Sequence, residues 1–309
     1  GALLAAGLFH VKASGESKAA GCSHPIEQEV PMKTILAATD LSARSDRAVL
    51  RAAHLARDTG AALHIIHVID EDLPGAMLLA QTTEVEATLS AMVAENPALA
   101  DLSPSLDVEA GHLDSLLPKL MRERDIDLLV VGSHRRRGLA DVFGAPTLSR
   151  LLRSVDVPVL VAVGRPEGTY EAVTIGWDFS PAGEAAAKAV QDFAPSAAMT
   201  LIHAWQDPVA GTPYGFETGG TIPPEALDRL RSKLQRAAME MVQDGTPPAT
   251  DVIIGPAGHV LRRYAAEHGA DLLAMGRHAR TGLARILLGS TAEDVALNAP
   301  CDVLIAPPL

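Results

Sequence analysis

The chain has 309 residues, 48% of them hydrophobic, which is enough for two domains of about 140 residues that each bury an apolar core. Its net charge of −12 disfavours a general nucleic-acid binder or a protein that binds anionic membranes, and we expect neither partner. The two cysteines, Cys22 and Cys301, lie far apart, which argues against a disulfide framework and favours a reducing compartment, so we predict a cytoplasmic location.

The first 31 residues stand apart because they show no clear helix or strand period after Phe9. The short apolar run 2–9 has no basic residues before it, which disfavours a secretion signal. The stretch 19–22 lies well beyond that run, which disfavours a lipoprotein signal. We interpret Met32 as the natural start, and we expect residues 1–31 to be an N-terminal extension that is disordered or not native.

From Met32 onwards, apolar runs of strand length alternate with helical patterns, as is typical of a parallel α/β sheet. In the first half, the predicted strands are 34–38, 63–68, 106–109, 128–131 and 157–163. The helices predicted between them are 44–58, 81–95, 113–123 and 148–152.

The same order then starts again. In the second half, the predicted strands are 172–177, 199–204, 252–254, 271–275 and 303–305. The predicted helices are 184–193, 224–242, 259–268 and one that starts near Ser290.

Matching landmarks indicate that the second half is a copy of the first. Three pairs are each separated by 144 residues: Gly111 with Gly255, Asp127 with Asp271, and Gly132 with Gly276. An aspartate also follows the first strand of each copy, Asp40 and Asp178. We therefore predict two domains, 32–164 and 169–309, called the first half and the second half below.

The loop after strand 271–275 has the composition of a phosphate site. Gly276 ends the strand, and a Gly289-Ser290 pair opens the next helix. Glycines let a ligand approach the backbone, and a helix N-terminus offers free N–H groups and the positive end of the helix dipole to an anion. The alternative is an ordinary strand–loop–helix in which Ser290 is only an N-cap.

The spacing of Gly276, Ala279, Gly289 and Ser290 resembles the G-2x-G-9x-G-[S/T] nucleotide motif of the universal stress protein family, with Ala279 in place of the middle glycine. The order of strands and helices over 32–309 resembles that family too. The resemblance implies two tandem Rossmann-like (adenine nucleotide alpha hydrolase-like) domains. Each is expected to be an open five-stranded parallel sheet of order 3-2-1-4-5 with helices on both faces, and the ligand is expected where strands 1 and 4 part.

The resemblance also implies a bound adenine nucleotide in the second half, ATP or else ADP or AMP, with or without Mg²⁺. It implies that Asp178, preceded by Gly176 and Trp177, hydrogen-bonds the adenine or its sugar, although Asp178 could instead serve only as a turn or cap residue. His203 and Ala204 fall where the family packs adenine. The residues implied for the ribose and phosphates are Met275, Gly276, Arg277, His278, Ala279, Arg280, Gly289, Ser290 and Thr291.

The first half departs from this motif. Arg135 stands in the place of Ala279, and Ala145 and Pro146 stand in the places of Gly289 and Ser290. Proline has neither the N–H nor the hydroxyl that a phosphate would use, so we do not expect ATP to bind there in the family manner. The basic run 135–137 either binds another anion or is a solvated loop.

The sequence contains no Walker A loop, nucleophile elbow or Rossmann GxGxxG, and no histidines at zinc spacing, so we predict no catalytic residues and no metal site. The leading hypothesis is a nucleotide-binding regulatory protein of the stress response. The alternatives are a slow ATPase or nucleotidyl-transfer enzyme of the same fold, or a scaffold without a ligand.

The fifth strands of the two halves, 157–163 and 303–305, are strongly apolar and are expected at sheet edges, which invite pairing. Single-domain members of the family dimerise through this strand. We therefore predict that the halves pair there as a pseudo-dimer within one chain. A further homodimer of the whole chain stays open.

Overall fold

The structure is a computed structural model, and it describes residues 32–133, 145–166, 168–206, 222–242, 245–277 and 288–308, with only the backbone at 145 and 146. The expectation for residues 1–31 therefore lies outside the described residues. Within the described ranges, the strands are β1 (Thr34–Thr39), β2 (Ala62–Ile69), β3 (Ser105–Ala110), β4 (Leu128–Gly132), β5 (Val159–Ala162), β6 (Ala172–Gly176), β7 (Ala198–Trp205), β8 (Ala249–Ile254), β9 (Leu272–Gly276) and β10 (Asp302–Ala306).

The helices are α1 (Ala43–Thr59), α2 (Gly75–Glu95), α3 (Pro97–Ala100), α4 (Leu113–Glu123), α5 (Ala145–Ser154), α6 (Pro181–Phe193), α7 (Pro224–Glu240), α8 (Ala257–Glu267) and α9 (Ser290–Asn298). The short α3 was not predicted, because four residues carry no helical period; Asn96 caps it by accepting a bond from the Ala98 N–H. Helix α2 begins well before residue 81, because the apolar run 76–79 that precedes it is helical too. None of the described helices is long and apolar enough to cross a membrane.

The strands form one sheet of order β3-β2-β1-β4-β5-β10-β9-β6-β7-β8. Within each half the strands are parallel and follow the order 3-2-1-4-5. The halves meet where β5 and β10 pair antiparallel, with Leu160 opposite Leu304. The predicted pairing of the fifth strands is thus present, and it merges the two predicted sheets into one ten-stranded sheet.

Helices cover both faces of this sheet, because alternate strand residues point to opposite sides and both sides are apolar. On β1, Ile35 and Ala37 pack into one apolar layer, which includes residues of α1, α6 and α7. Leu36 and Ala38 pack into the other, which includes residues of α4, α5, α8 and α9. Each layer contains residues of both halves, so the two repeats share their cores.

The repeated landmarks have a structural reason. The Asp127 carboxylate accepts bonds from the N–H groups of Lys33 (2.7 Å) and Thr34 (2.9 Å), which ties the start of β1 to the start of β4. Asp271 accepts equivalent bonds from Glu171 and Ala172 at the start of β6. The paired glycines Gly111 and Gly255 adopt φ angles of 157° and 145°, which side chains rarely tolerate.

A buried polar network fixes the junction between the halves. The Asp302 carboxylate, on β10, is 1% exposed. It accepts bonds from Arg51 Nε (3.0 Å), from the Tyr170 hydroxyl (2.7 Å), and from the N–H groups of Val163 and Gly164 (2.7 Å each). The Arg51 guanidinium also donates to the carbonyls of residues 165 and 168. One carboxylate therefore holds α1, β10 and the segment that connects the halves.

We expect Asp302→Ala to lower the free energy of unfolding by about 3–5 kcal/mol, because it leaves the Arg51 charge buried without its partner. Asp294→Ala is the control: Asp294 forms an ion pair with Arg262 at the surface (3.2 Å), and its loss should cost less than about 1 kcal/mol. Urea unfolding measures both. Equal losses for the two variants would contradict a structural role for the junction network.

Candidate functional site

A cavity of about 460 Å³ opens at the C-terminal ends of β6, β7 and β9 in the second half. Strands β6 and β9 are neighbours in the sheet. The chain passes from β6 to β7 on one side of this pair and from β9 to β10 on the other side. Such switch points are the usual ligand crevices of parallel sheets. The predicted site residues that line it are Gly176, Trp177, Asp178, His203, Ala204, Met275, Gly276, Gly289, Ser290 and Thr291.

Four predicted residues are not among these. His278, Ala279 and Arg280 lie outside the described residues. Arg277 is described, and the structure does not bring it to the cavity. The residue is 9% exposed, and its guanidinium donates to the carbonyls of Leu152 (2.5 Å) and Val155 (2.9 Å), at the C-terminal end of α5.

The expectation that Arg277 adds positive charge beside the phosphates therefore does not match its position. The last carbonyls of a helix lack partners within the helix and carry partial negative charge, which attracts a guanidinium. Burial lowers the pKa of the Arg277 side chain, and Asp156, 3.8 Å away, raises it.

Sequence reasoning missed the side of the cavity that α8 provides. Ala257 and Leu261 line it, together with Leu288 just before α9. The available signal was the apolar spacing of Val260, Leu261 and Ala265, which are buried on one face of α8. That spacing predicts a buried face but does not show which cavity the face borders.

One end of the cavity is the N-terminus of α9. Gly289 is the N-cap and makes no side-chain cap bond, while Ser290 is the first helical residue. Ser290 is therefore not the N-cap that the alternative interpretation required. The hydroxyl-bearing residues Ser290 and Thr291 line the cavity beside the helix N-terminus, where first-turn N–H groups attract anions.

Asp178 serves as the turn residue of the alternative prediction, and it also lies at the cavity. Its Oδ1 accepts bonds from the N–H (3.0 Å) and hydroxyl (2.5 Å) of Ser180, the N-cap of α6, so the carboxylate shapes the turn. It also lines the cavity. In the first half, Asp40 accepts an equivalent bond from the Ser42 N–H (3.0 Å).

The turn is the same in both halves, because the residue after each aspartate, Leu41 or Phe179, has a φ of 60°. Burial raises the pKa of Asp40, but hydrogen bonds from Ser42 and Ser45 outweigh this and leave it below the usual value.

His203 has a defined orientation. Its Nδ1 lies 2.8 Å from the carbonyl oxygen of Trp177, and its ring packs against that of Phe179 with centroids 4.9 Å apart. A carbonyl oxygen only accepts, so Nδ1 carries the proton, and Nε2 of the neutral ring is an acceptor.

Gly276 lines the cavity, and it also meets a packing requirement that its motif did not indicate. A Cβ at this position would lie 2.4 Å from the carbonyl carbon of Ala182 and 2.6 Å from the Gly183 nitrogen, in the first turn of α6. The glycine is therefore required because α6 packs directly on the end of β9. At Gly176, by contrast, the tightest contact of a Cβ would be with the flexible end of Leu261, at 2.8 Å, while the Met275 Cβ would lie at an ordinary contact distance of 3.4 Å.

The described lining residues include two titratable side chains, Asp178 and His203, and each already has a hydrogen-bond partner. No group of three His, Cys, Asp or Glu side chains that could hold a metal ion occurs in the described part of the chain.

The matching segment of the first half lies mostly in 134–144, outside the described residues, and this includes Arg135 and the basic run 135–137. Helix α5 begins at Ala145 and has Pro146 in its first turn. Because proline lacks an N–H, the N-terminus of α5 offers one donor fewer than that of α9.

We expect Gly276→Ala to destabilise the fold by about 1–3 kcal/mol, because the added methyl overlaps backbone atoms of α6. Gly176→Ala adds the same methyl group, but it meets a side chain that can rotate away, so its cost should be smaller. Thermal and urea unfolding of both variants measure the difference. A larger loss for Gly176→Ala would contradict the packing assigned to Gly276.

The sequence profile described as "Universal stress protein family" matches residues 31–162 and again residues 169–307. A universal stress protein of Mycolicibacterium smegmatis is 26% identical over 295 residues, which cover 89% of this chain and 97% of that protein. Universal stress protein A homolog 1 of Coxiella burnetii is 33% identical over 129 residues, covering 37% of this chain and 84% of that protein.

Among solved structures, the crystal structure of a universal stress protein from Archaeoglobus fulgidus shares the fold, with a TM-score of 0.66 and 18% sequence identity over 89% of this chain and 98% of that one. The two profile matches lie on the two repeats and together span most of the sequence. The chain therefore belongs to the universal stress protein family.

Proposed function

We propose that the second half binds one adenine nucleotide, ATP or else ADP or AMP, and that the protein acts as a nucleotide-responsive regulator in the stress response. One observation carries the proposal: a single cavity joins the N-terminus of α9 to the side chains of Asp178 and His203. Its volume of about 460 Å³ falls within the usual range of small-molecule sites.

The α9 end suits phosphate. Gly289 presents no side chain between the cavity and the first N–H groups of the helix, and the hydroxyls of Ser290 and Thr291 can donate further bonds. The net charge of the chain is −12, so attraction for a phosphate depends on such local donors. We propose that any Mg²⁺ arrives bound to the phosphates, since Mg²⁺ commonly binds nucleotide phosphates and few carboxylates.

The β6–β7 end suits adenine. Ile202, Leu261 and Met275 provide apolar surface for a planar base. Because His203 Nε2 is an acceptor in the neutral ring, it can accept a bond from the 6-amino group of adenine. Guanine has a carbonyl oxygen at that position, which would face the acceptor without a proton between them.

We propose a binding role rather than a hydrolytic one. The titratable side chains among the described lining residues lie at the ends of β6 and β7 and are already engaged with Ser180 and Trp177. Neither is part of α9, where the phosphates would bind. A general base must reach the water that attacks the γ-phosphate, and no described lining residue is placed for that. The cytoplasm, proposed from the sparse cysteines, would supply the nucleotide.

We expect ATP to saturate at one equivalent per chain in isothermal titration calorimetry. Binding should also change tryptophan emission, because Trp177 lines the cavity. Trp177→Phe should abolish this optical signal, and Trp205→Phe should retain it, since Trp205 is not among the lining residues. Two equivalents would show that the first half also binds ATP.

Ser290→Pro should weaken ATP binding by about 1–3 kcal/mol, because it removes an N–H and a hydroxyl. Proline is well tolerated at the first helical position, so the fold should be retained. Ser290→Ala is the matched control; it removes only the hydroxyl and should cost less. Unchanged ATP affinity in Ser290→Pro would contradict phosphate binding at α9.

We expect the wild-type protein to prefer ATP over GTP by on the order of 1–3 kcal/mol, the cost of an unsatisfied acceptor pair. His203→Asn retains a donor that can reach the Trp177 carbonyl but lacks Nε2, so it should reduce this preference. Competition titrations with both nucleotides measure the ratio. Equal affinities in the wild-type protein would contradict the role assigned to His203.

A further inference from the structure

We infer that α5 of the first half positions the phosphate-binding elements of the second half, with Arg277 and Ser149 as the positioning residues. This inference rests on the proposed function, because it concerns the same cavity. It assigns the first half a part in a site to which it contributes no described lining residue.

The first connection runs from the end of β9. Gly276 lines the cavity, and Arg277 follows it directly. The Arg277 side chain turns away from the cavity and donates to the carbonyls of Leu152 and Val155, at 2.5 and 2.9 Å. A buried guanidinium with two carbonyl partners has little freedom, so the end of β9 is held at a set distance from the C-terminal end of α5.

The second connection runs from the start of α9. Glu293 lies in the first turn of this helix, just after the cavity residues Ser290 and Thr291. Its carboxylate accepts a bond from the Ser149 hydroxyl (2.5 Å) and lies 3.7 Å from Arg153. Both partners belong to α5. The two elements that flank the proposed phosphate position are thus anchored on one helix of the other half.

The negative charge of Glu293 affects any anion that binds at the N-terminus of α9. A carboxylate in the first turn of α9 interacts favourably with the helix dipole, but it would repel a phosphate bound at the same helix end. The Ser149 hydroxyl and the Arg153 guanidinium both face the Glu293 carboxylate and offset part of its negative charge. Helix α5 thereby reduces the repulsion between Glu293 and a phosphate bound at α9.

The contacts with α5 differ between the two halves of the chain. Ser149 and Glu293 are separated by 144 residues and occupy equivalent positions of the two copies. The position equivalent to Arg277 is Ser133. The two make equivalent backbone bonds: the Ser133 N–H donates to the Ala162 carbonyl, and the Arg277 N–H donates to the Ala306 carbonyl. The charged residues at both positions are found in the second half, the one that retains Gly289 and Ser290. The half that carries the charged residues of the contact is therefore also the half that retains the phosphate motif.

The test separates a positioning role from a purely structural one by comparing ATP with adenosine, which lacks the phosphates. We expect Arg277→Met to weaken ATP binding about fivefold to twentyfold while adenosine binding changes less than about twofold. Ser149→Ala, a milder change that keeps the helix intact, should weaken ATP binding about twofold to fivefold with the same selectivity. Arg277→Lys retains a donor and a charge, and it should recover part of the loss.

Arg124→Met is the matched control. Arg124 forms an ion pair with Asp107 within the first half, away from the cavity, and its loss should leave both ligands bound as in the wild-type protein. Unchanged ATP binding in both Arg277→Met and Ser149→Ala would overturn the inference, and so would equal losses for ATP and adenosine. If the wild-type protein bound neither ligand, the proposed function would fail and this inference with it.

Discussion

The antiparallel pairing of β5 with β10 is the contact on which the arrangement of the whole molecule depends. It uses two strands whose residues are buried on both faces, so neither strand could remain an exposed sheet edge without exposing apolar surface and unpaired backbone groups. The pairing relates the repeats by an approximate two-fold axis between these strands. Because each fifth strand follows the last helix of its repeat, the same axis brings α5 of one repeat against α9 of the other, where Ser149 meets Glu293.

Strand pairing alone does not specify how the segment between the repeats returns to the sheet; the Asp302 network does. Four donors converge on one buried carboxylate, and two of them are backbone N–H groups of the connecting segment. A buried ion pair adds little net stability compared with apolar packing, but its loss is costly, and its geometry admits few arrangements. We therefore expect the network to contribute more to the uniqueness of the junction than to its strength.

The sequence predicted the strands, most of the helices and the repeat, because these depend on local periodicity and on landmarks such as Asp127 and Asp271 that recur at a constant distance. It also placed Asp178, His203, Gly289 and Ser290 beside one cavity. It predicted the wrong surroundings for Arg277, and it did not predict that Gly276 packs against α6. Both results have one cause: the motif shows which residues follow one another, but the partners, α5 and α6, are set by packing between elements distant in the chain.

The departure of the first half from the phosphate motif is compatible with the supporting role that we infer for α5. A repeat that binds its own nucleotide needs an open helix N-terminus, which Pro146 compromises in α5. A repeat that supports its partner needs free carbonyls at the C-terminal end of that helix and a donor on its surface, and α5 provides both, through Leu152, Val155 and Ser149. These requirements concern opposite ends of one helix. The first half can therefore lack the phosphate motif and still contribute the C-terminal end of α5 to the site proposed in the second half.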